Sequence, residues 1–304
     1  VKMWAPVTLP YRSESPSIPR IPSTDEIRTC SNIIWESADT KVVAVNDEIV
    51  VKFGVLPVHE GEALIHLERH APQVPAPRLY AMFYDDKELF LIMQRMPGVQ
   101  LDKIWSSLTE SEKDDIISKL HRIFDDMRLI ECPQFDFYGN LSGGGVSHYL
   151  FYSQHSSGPR HLGPFNGEAA FIAGLVGNFR ALVEKNHRPD FQVRFYETYL
   201  GRVFQGHRPT LTHGDVQQKN IMVAENAARR NSQGERSFDV ALVDWADAGW
   251  YPEFWEFFSA SMLFRLVYWE TDWCWRAQEF LQVYPAELAL MRMFDKDFTG
   301  WYGP

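Results

Sequence analysis

The sequence predicts an α+β protein in two parts, a smaller strand-rich part followed by a larger helix-rich part, and three observations carry that expectation. At 304 residues, 45% hydrophobic and 23% charged, the chain can bury a sizeable core, and two lobes or domains are the prior for that length. Two pairs of apolar runs, Val42 to Val45 with Ile49 to Phe53 and Leu79 to Tyr84 with Glu88 to Met93, flank the polar triplets Asn46-Asp47-Glu48 and Asp85-Asp86-Lys87 and read as hairpins. From Thr109 onward, helical periodicity takes over. The punctuation at Gln94-Arg95-Met96-Pro97-Gly98 separates the parts, giving an arm over residues 1–22, a first part over 23–96 and a second over 97–304.

Taken in order, Pro6, Pro10, Pro16, Pro19 and Pro22 lock backbone angles and remove donors, so the arm reads as extended chain on the surface. Ser23 with Glu26 forms a capping box that predicts a short helix to about Ile34. Lys52 sits at the end of the second run of the first hairpin, beside Val50. From Val58 to about His70, Ala63, Leu64 and Leu67 recur at helical spacing until Pro72 ends the element. Thr109 with Glu112 opens a long amphipathic helix through Ile116, Ile117, Leu120, Ile123, Phe124, Met127 and Ile130. Residues 133–167, rich in Gly, Ser, Pro and His, read as one long loop. Its Gly143-Gly144-Gly145 lacks the Gly-Lys-Ser/Thr of a nucleotide-binding Walker loop. Helical patterns return at about 168–186 and 190–206. Between the strands at Ile221 and Val240, the charged stretch Glu225 to Ser237 reads as a solvated hairpin tip. The chain then becomes helical and aromatic, with Trp250, Tyr251, Phe254, Trp255, Phe257, Phe258, Phe264, Tyr268, Trp269, Trp273 and Trp275 read mainly as core.

The chemistry gathers in Leu211-Thr212-His213-Gly214-Asp215-Val216-Gln217-Gln218-Lys219-Asn220-Ile221-Met222-Val223 and in Ala241-Leu242-Val243-Asp244-Trp245. Short β-branched runs read as buried strands that deliver a carboxylate or carboxamide at their ends. Phosphoryl transfer needs a carboxylate to accept the proton of the incoming hydroxyl and oxygen ligands for a divalent ion. Asp215 suits the first task, and Asn220 with Asp244 the second. Their order and spacing follow those of a kinase catalytic loop and its second metal-binding aspartate.

With His213-Gly214-Asp215 in place of His-Arg-Asp and Asp244-Trp245-Ala246 in place of Asp-Phe-Gly, the chain resembles the aminoglycoside phosphotransferase and choline kinase branch of the kinase-like enzymes. The resemblance spans about residues 30 to 300. It implies a bilobal protein-kinase-like fold, with a small mostly-β N-lobe carrying one αC-like helix and a larger, mostly helical C-lobe. It also implies ATP or GTP as cofactor together with Mg2+. Within Val50-Val51-Lys52, Lys52 resembles the strand lysine that grips the phosphates. Glu60, Glu62 and Glu68 are the acidic candidates on the helix after it, and Glu62, in Glu62-Ala63-Leu64 ahead of Pro75-Ala76-Pro77, is the partner that the resemblance implies. Met93 would guard the back of the pocket, Gln94, Arg95 and Met96 would form the hinge along the adenine edge, and Val50, Met222 and Val243 would complete the nucleotide-binding set. His213 is expected to brace the loop. The turn near Glu36-Ser37-Ala38-Asp39-Thr40-Lys41 has no glycine, unlike the glycine-rich phosphate loop of protein kinases.

A net charge of −10 argues against nucleic acid or an anionic membrane surface as partner and favours a cationic or neutral small molecule whose hydroxyl accepts the phosphoryl group. Cys30, Cys132 and Cys274 form neither a disulfide framework nor a metal motif, which fits a reducing compartment. No uncharged run reaches membrane-helix length, so a cytoplasmic monomer or homodimer is expected. The competing readings are a catalytically weak or inactive nucleotide-binding relative and a protein kinase. Against the second, no Ala-Pro-Glu follows Asp244, and Trp245 to Pro252 is too short for an activation segment.

Overall fold

The computed structural model describes residues 7–154, 161–263 and 272–300. In chain order the elements are β1 (Tyr11–Arg12), α1 (Thr24–Arg28), β2 (Ile33–Glu36), β3 (Thr40–Ala44), β4 (Ile49–Gly54), α2 (His59–His70), β5 (Leu79–Asp85), β6 (Glu88–Gln94), β7 (Val99–Gln100) and α3 (Glu110–Leu129). The chain continues with β8 (Phe137–Asn140), β9 (Phe165–Asn166), α4 (Glu168–Lys185), α5 (Phe191–Val203), β10 (Pro209–Thr212), β11 (Ile221–Arg230), β12 (Arg236–Leu242), β13 (Gly249–Pro252), α6 (Trp255–Leu263), α7 (Trp273–Arg276) and α8 (Pro285–Thr299). This is the mixed helix-and-sheet architecture expected, with antiparallel strand pairing. No described helix is long and apolar enough to cross a membrane.

Two compact units emerge, one built from Ala5–Ile116 together with Gln218–Ala246, the other including Ile117–Gln217 and the chain from Asp247 onward. In the first, a six-stranded sheet runs β1-β5-β6-β4-β3-β2. Alternation along β4 turns Ile49, Val51 and Phe53 to one face, where they pack with Ile27 of α1, Phe90 and Ile92. The opposite face carries α2. Gly61 lets that helix approach closely, since a Cβ there would stand 2.5 Å from Met82 Sδ and 3.0 Å from a Leu91 methyl. A second sheet, β12-β11-β7, is tied to the start of α3. Its capping box is present, with the Thr109 N–H donating to Glu112 and the Glu112 N–H to the Thr109 hydroxyl. Glu112 also takes a bidentate pair from Arg236 at 2.6 and 2.9 Å, and Asp115 accepts the Phe238 N–H.

The second unit pairs β10-β13-β8-β9 and buries an aromatic core in which Phe151, Phe171, Tyr251, Trp255 and Phe258 join Phe179, Tyr196, Phe294 and Phe298. Tyr251 and Trp255 stack at 5.4 Å, and Phe171 meets Trp255 edge-on at 5.2 Å. The aromatic run is therefore core where it is described, except at Phe257, which is half-buried, and Trp275, which is 67% exposed. Phe264, Tyr268 and Trp269 lie outside the described residues.

Four local expectations change. The Ser23 helix stops at Arg28 rather than near Ile34, because the β-branched and aromatic run Ile33-Ile34-Trp35 pairs with β3 as a strand. The stretch 133–167 contains β8 and β9, whose four and two residues are too short to show a period. Strands β11 and β12 extend through Arg230 and from Arg236, shrinking the solvated tip. The arm is not merely surface chain, since its β1 adds an edge to the sheet by pairing with β5.

Candidate functional site

In the second unit, β10 ends at Thr212 and the chain turns through His213, Gly214 and Asp215. Gly214 has φ +83, and a Cβ on it would lie 2.7 Å from the Asp247 carbonyl oxygen, so the turn needs glycine on two counts. From α6, the buried Glu256 carboxylate accepts the His213 N–H at 2.6 Å and the Gly214 N–H at 3.0 Å. His213, 1% exposed, accepts the Asp215 N–H on Nδ1 at 3.2 Å. The Gln217 amide donates to Asp215 Oδ1 at 2.7 Å. Asp215 is thus presented on a loop whose peptide groups are held from below and whose carboxylate is aimed by a neighbouring amide.

Glu256 and Gln217 were not singled out by the sequence reading. For Glu256 a signal was present: a lone carboxylate within Phe254-Trp255-Glu256-Phe257-Phe258 is too costly to bury unless it is hydrogen-bonded. Burial pushes its carboxyl up to about 7, against the two peptide N–H bonds that favour the anion, while the Asp215 charge adds to the rise. A folded pKa above the ordinary value of 4.5 means that the folded protein holds this proton more tightly than the unfolded chain does. The stabilisation is full below pH 4.5 and is lost as pH rises through about 7. Glu256→Gln is therefore expected to flatten the stability profile, with the wild type losing on the order of 3 kcal/mol more than the variant between pH 4.5 and 8. Thermal melts of both proteins across that range check this, and parallel profiles would contradict it.

In the first unit, Val50 and Lys52 share the face of β4 opposite its core residues. The Lys52 ammonium lies 2.7 Å from Glu60 Oε2 and 2.8 Å from Asp244 Oδ1. The helix partner is Glu60, not Glu62. Glu60, Ala63, Leu64 and Leu67 follow the i, i+3, i+4, i+7 stripe that faces the sheet, whereas Glu62, two residues on, points elsewhere. Glu62 is buried too, but it accepts the Val7 N–H at 3.3 Å and lies 3.9 Å from His59. Burial disfavours the Lys52 cation, yet the Glu60 and Asp244 charges outweigh it and hold the lysine above its ordinary value. Burial also keeps the Glu60 carboxyl above the usual carboxylate range.

Asp244 follows β12 in the left-handed region, φ +66, which aspartate tolerates better than most residues. The next residue, Trp245, is fully buried and donates its indole N–H to the Leu242 carbonyl at 2.9 Å, anchoring the turn. Asn220, also buried, leads into β11, and its carbonyl accepts the Val243 N–H at 2.9 Å. Met222 and Val223 pair with Gln100 and Val99 of β7. Met93, 6% exposed, pairs with Val50 across β4 and β6. In the hinge segment, the N–H groups of Gln94 and Arg95 already donate to the Arg78 and Glu48 carbonyls, both at 2.9 Å. Those two donors are spent within the fold.

Among the described residues, no group of three or more His, Cys, Asp or Glu side chains is arranged to hold a metal. A carboxylate and a carboxamide remain on one unit, at Asp244 and Asn220. That sparse, all-oxygen set fits Mg2+, which takes one or two protein ligands and fills its shell with phosphate oxygens and water.

The sequence profile of the phosphotransferase enzyme family matches residues 34–292. Among solved structures, the GDP complex of wild-type aminoglycoside 2'-phosphotransferase-IIIa aligns with a TM-score of 0.50 at 15% identity, over 90% of this chain and 85% of its own. The streptomycin–ATP ternary complex of APH(2")-IIa also aligns with a TM-score of 0.50 at 15% identity, over 88% and 82%. At that identity the likeness shows a shared protein-kinase-like fold. No curated protein sequence matches the chain.

Proposed function

This chain belongs to the phosphotransferase enzyme family, and on that premise we propose that it moves the γ-phosphoryl group of ATP or GTP to a hydroxyl of a small molecule. The observation that carries the reading is the Lys52 ammonium held at 2.7 and 2.8 Å between Glu60 and Asp244, a cation fixed beside a metal-competent carboxylate. Lys52 grips the phosphates. Asp215 receives the acceptor hydroxyl and takes its proton, with Gln217 fixing the carboxylate's orientation. His213 and Glu256 brace the loop through its peptide N–H groups and exchange no protons with substrate. Asn220 and Asp244 would hold Mg2+, which neutralises phosphate charge when bound. Val50, Met93, Met222 and Val243 supply apolar surface for the base. Nucleotide binding is assigned to residues 23–96 and the catalytic and acceptor groups to 97–304. The net charge of −10 favours a cationic or neutral acceptor, and three cysteines scattered far apart in the sequence suit the cytoplasm.

Calorimetry tests the nucleotide half of this reading. Mg2+-dependent ATP or GTP binding below about 1 mM is expected. No Mg2+-dependent heat at millimolar nucleotide would contradict the proposal, and binding with no turnover on any acceptor would leave only a nucleotide-binding relative.

A further inference from the structure

Three successive residues in the first turn of α2 face three different partners. Glu60 holds Lys52 at 2.7 Å, Gly61 lies against Met82 and Leu91 of the sheet, and Glu62 accepts the Val7 N–H at 3.3 Å. Val58, at the N-terminus of α2, makes no side-chain cap, so that turn depends on tertiary contacts for its position. The arm supplies them along the length of the helix. Val7 meets Glu62 at the start, and Tyr11 lies within electrostatic reach of Glu68 and Arg69 near the end. The arm is itself fixed to the sheet: Tyr11 and Arg12 pair with Met82 and Ala81 of β5, and the Ser13 N–H donates to the Tyr80 carbonyl at 2.9 Å. Met82 is at once the arm's strand partner and the side chain packed on Gly61.

We propose that the segment Val7–Arg12 is a clasp that fixes α2 against the sheet, with Glu62 as its receiving group, and that it thereby sets where Glu60 holds Lys52. Glu62 and the arm are positioning elements for the phosphate grip. This rests on the nucleotide role given to Lys52 above. Glu62, two residues on from Glu60, turns to a different side of the helix, so the arm's contact and the Lys52 contact sit on separate faces of one turn. Its loss should loosen nucleotide binding more than the chemical step, because Asp215 and the loop that bears it take no part in it.

The test uses three variants of the full chain: deletion of residues 1–12, Glu62→Ala, and Glu62→Gln, which keeps an acceptor oxygen for the Val7 N–H. Two readouts are taken, amide hydrogen exchange across residues 59–70 and the separate values of KM for ATP and kcat. Exchange in α2 is expected to rise about fivefold or more in the deletion and in Glu62→Ala, with Glu62→Gln nearer the wild type. KM for ATP should rise by a similar factor, with kcat within about twofold. Unchanged α2 exchange in the deletion, or equal defects in the alanine and glutamine variants, would overturn the clasp. If the deletion fails to fold, the two Glu62 variants decide. If wild-type protein transfers no phosphate, the functional reading fails, yet the exchange measurement still judges the clasp.

Discussion

Asp215→Asn is expected to lower kcat by about 10³-fold while leaving Mg-ATP affinity within about twofold of the wild-type value. The substitution keeps shape and one carbonyl oxygen, so the Gln217 amide, now 2.7 Å from Oδ1, retains an acceptor. The loop does not depend on the lost charge, because its His213 and Gly214 N–H groups are held by Glu256 and the Asp215 N–H by His213. What disappears is the base, a role realised mainly in the transition state, so the loss falls on kcat. Asp244→Asn should differ. Asp244 contacts Lys52 at 2.8 Å and is assigned to the metal, so its loss should weaken nucleotide binding and turnover together. Paired calorimetric titrations and turnover assays separate the two. Equal loss of nucleotide affinity in both variants, or normal turnover in Asp215→Asn, would overturn the assigned roles.

Lys52→Ala has the second largest expected effect, on stability as well as on nucleotide affinity. Lys52 and Glu60 side chains are 14% and 6% exposed, and removing one partner leaves a carboxylate buried beside Asp244. Breaking such a pair costs about 3–5 kcal/mol, whereas replacing both partners with neutral groups is often close to neutral. The Glu60 carboxyl, already raised by burial, would rise further without the cation. Stability tied to its proton is present at low pH and lost as pH rises through the folded pKa, so Lys52→Ala should be closer to the wild type at pH 5 than at pH 8. The double variant Lys52→Met with Glu60→Gln should recover most of the stability but none of the nucleotide affinity. Thermal melts at both pH values with ATP titrations check this. Full stability in Lys52→Ala at pH 8 would mean that the pair does not carry the charge balance assigned to it.

The parts of the fold legible in the sequence are those with a period long enough to read. The hairpins β3–β4 and β5–β6 and the helix α3 announce themselves through alternation, polar turns and a capping box. Strands β8 and β9 do not, because four and two residues flanked by glycine-rich turns leave no pattern. Lys52 and Asp244 stand out because each is a charge in or just after an apolar run, and they meet across 192 positions of sequence. Glu60 was legible too, since it shares the apolar stripe of α2 with Ala63, Leu64 and Leu67, whereas the family pattern alone points to Glu62, which is off that stripe by two residues. The brace from Glu256 could have been suspected from an isolated charge among aromatics. Its target could not, because the bonds run to peptide N–H groups that leave no mark on residue identity. The same holds for the arm, whose hold on the sheet and on Glu62 is made largely by its backbone.

In the proposed roles, a phosphoryl group passes to a small acceptor whose hydroxyl proton Asp215 takes. This transfer is tested by measuring ADP release from Mg-ATP and GDP release from Mg-GTP, across a panel of hydroxylated amines and neutral polyols, for wild type and Asp215→Asn side by side. At least one acceptor should raise release above background hydrolysis in the wild type and leave the variant at background. Release that no acceptor raises with either nucleotide, or that rises equally in the variant, would contradict it.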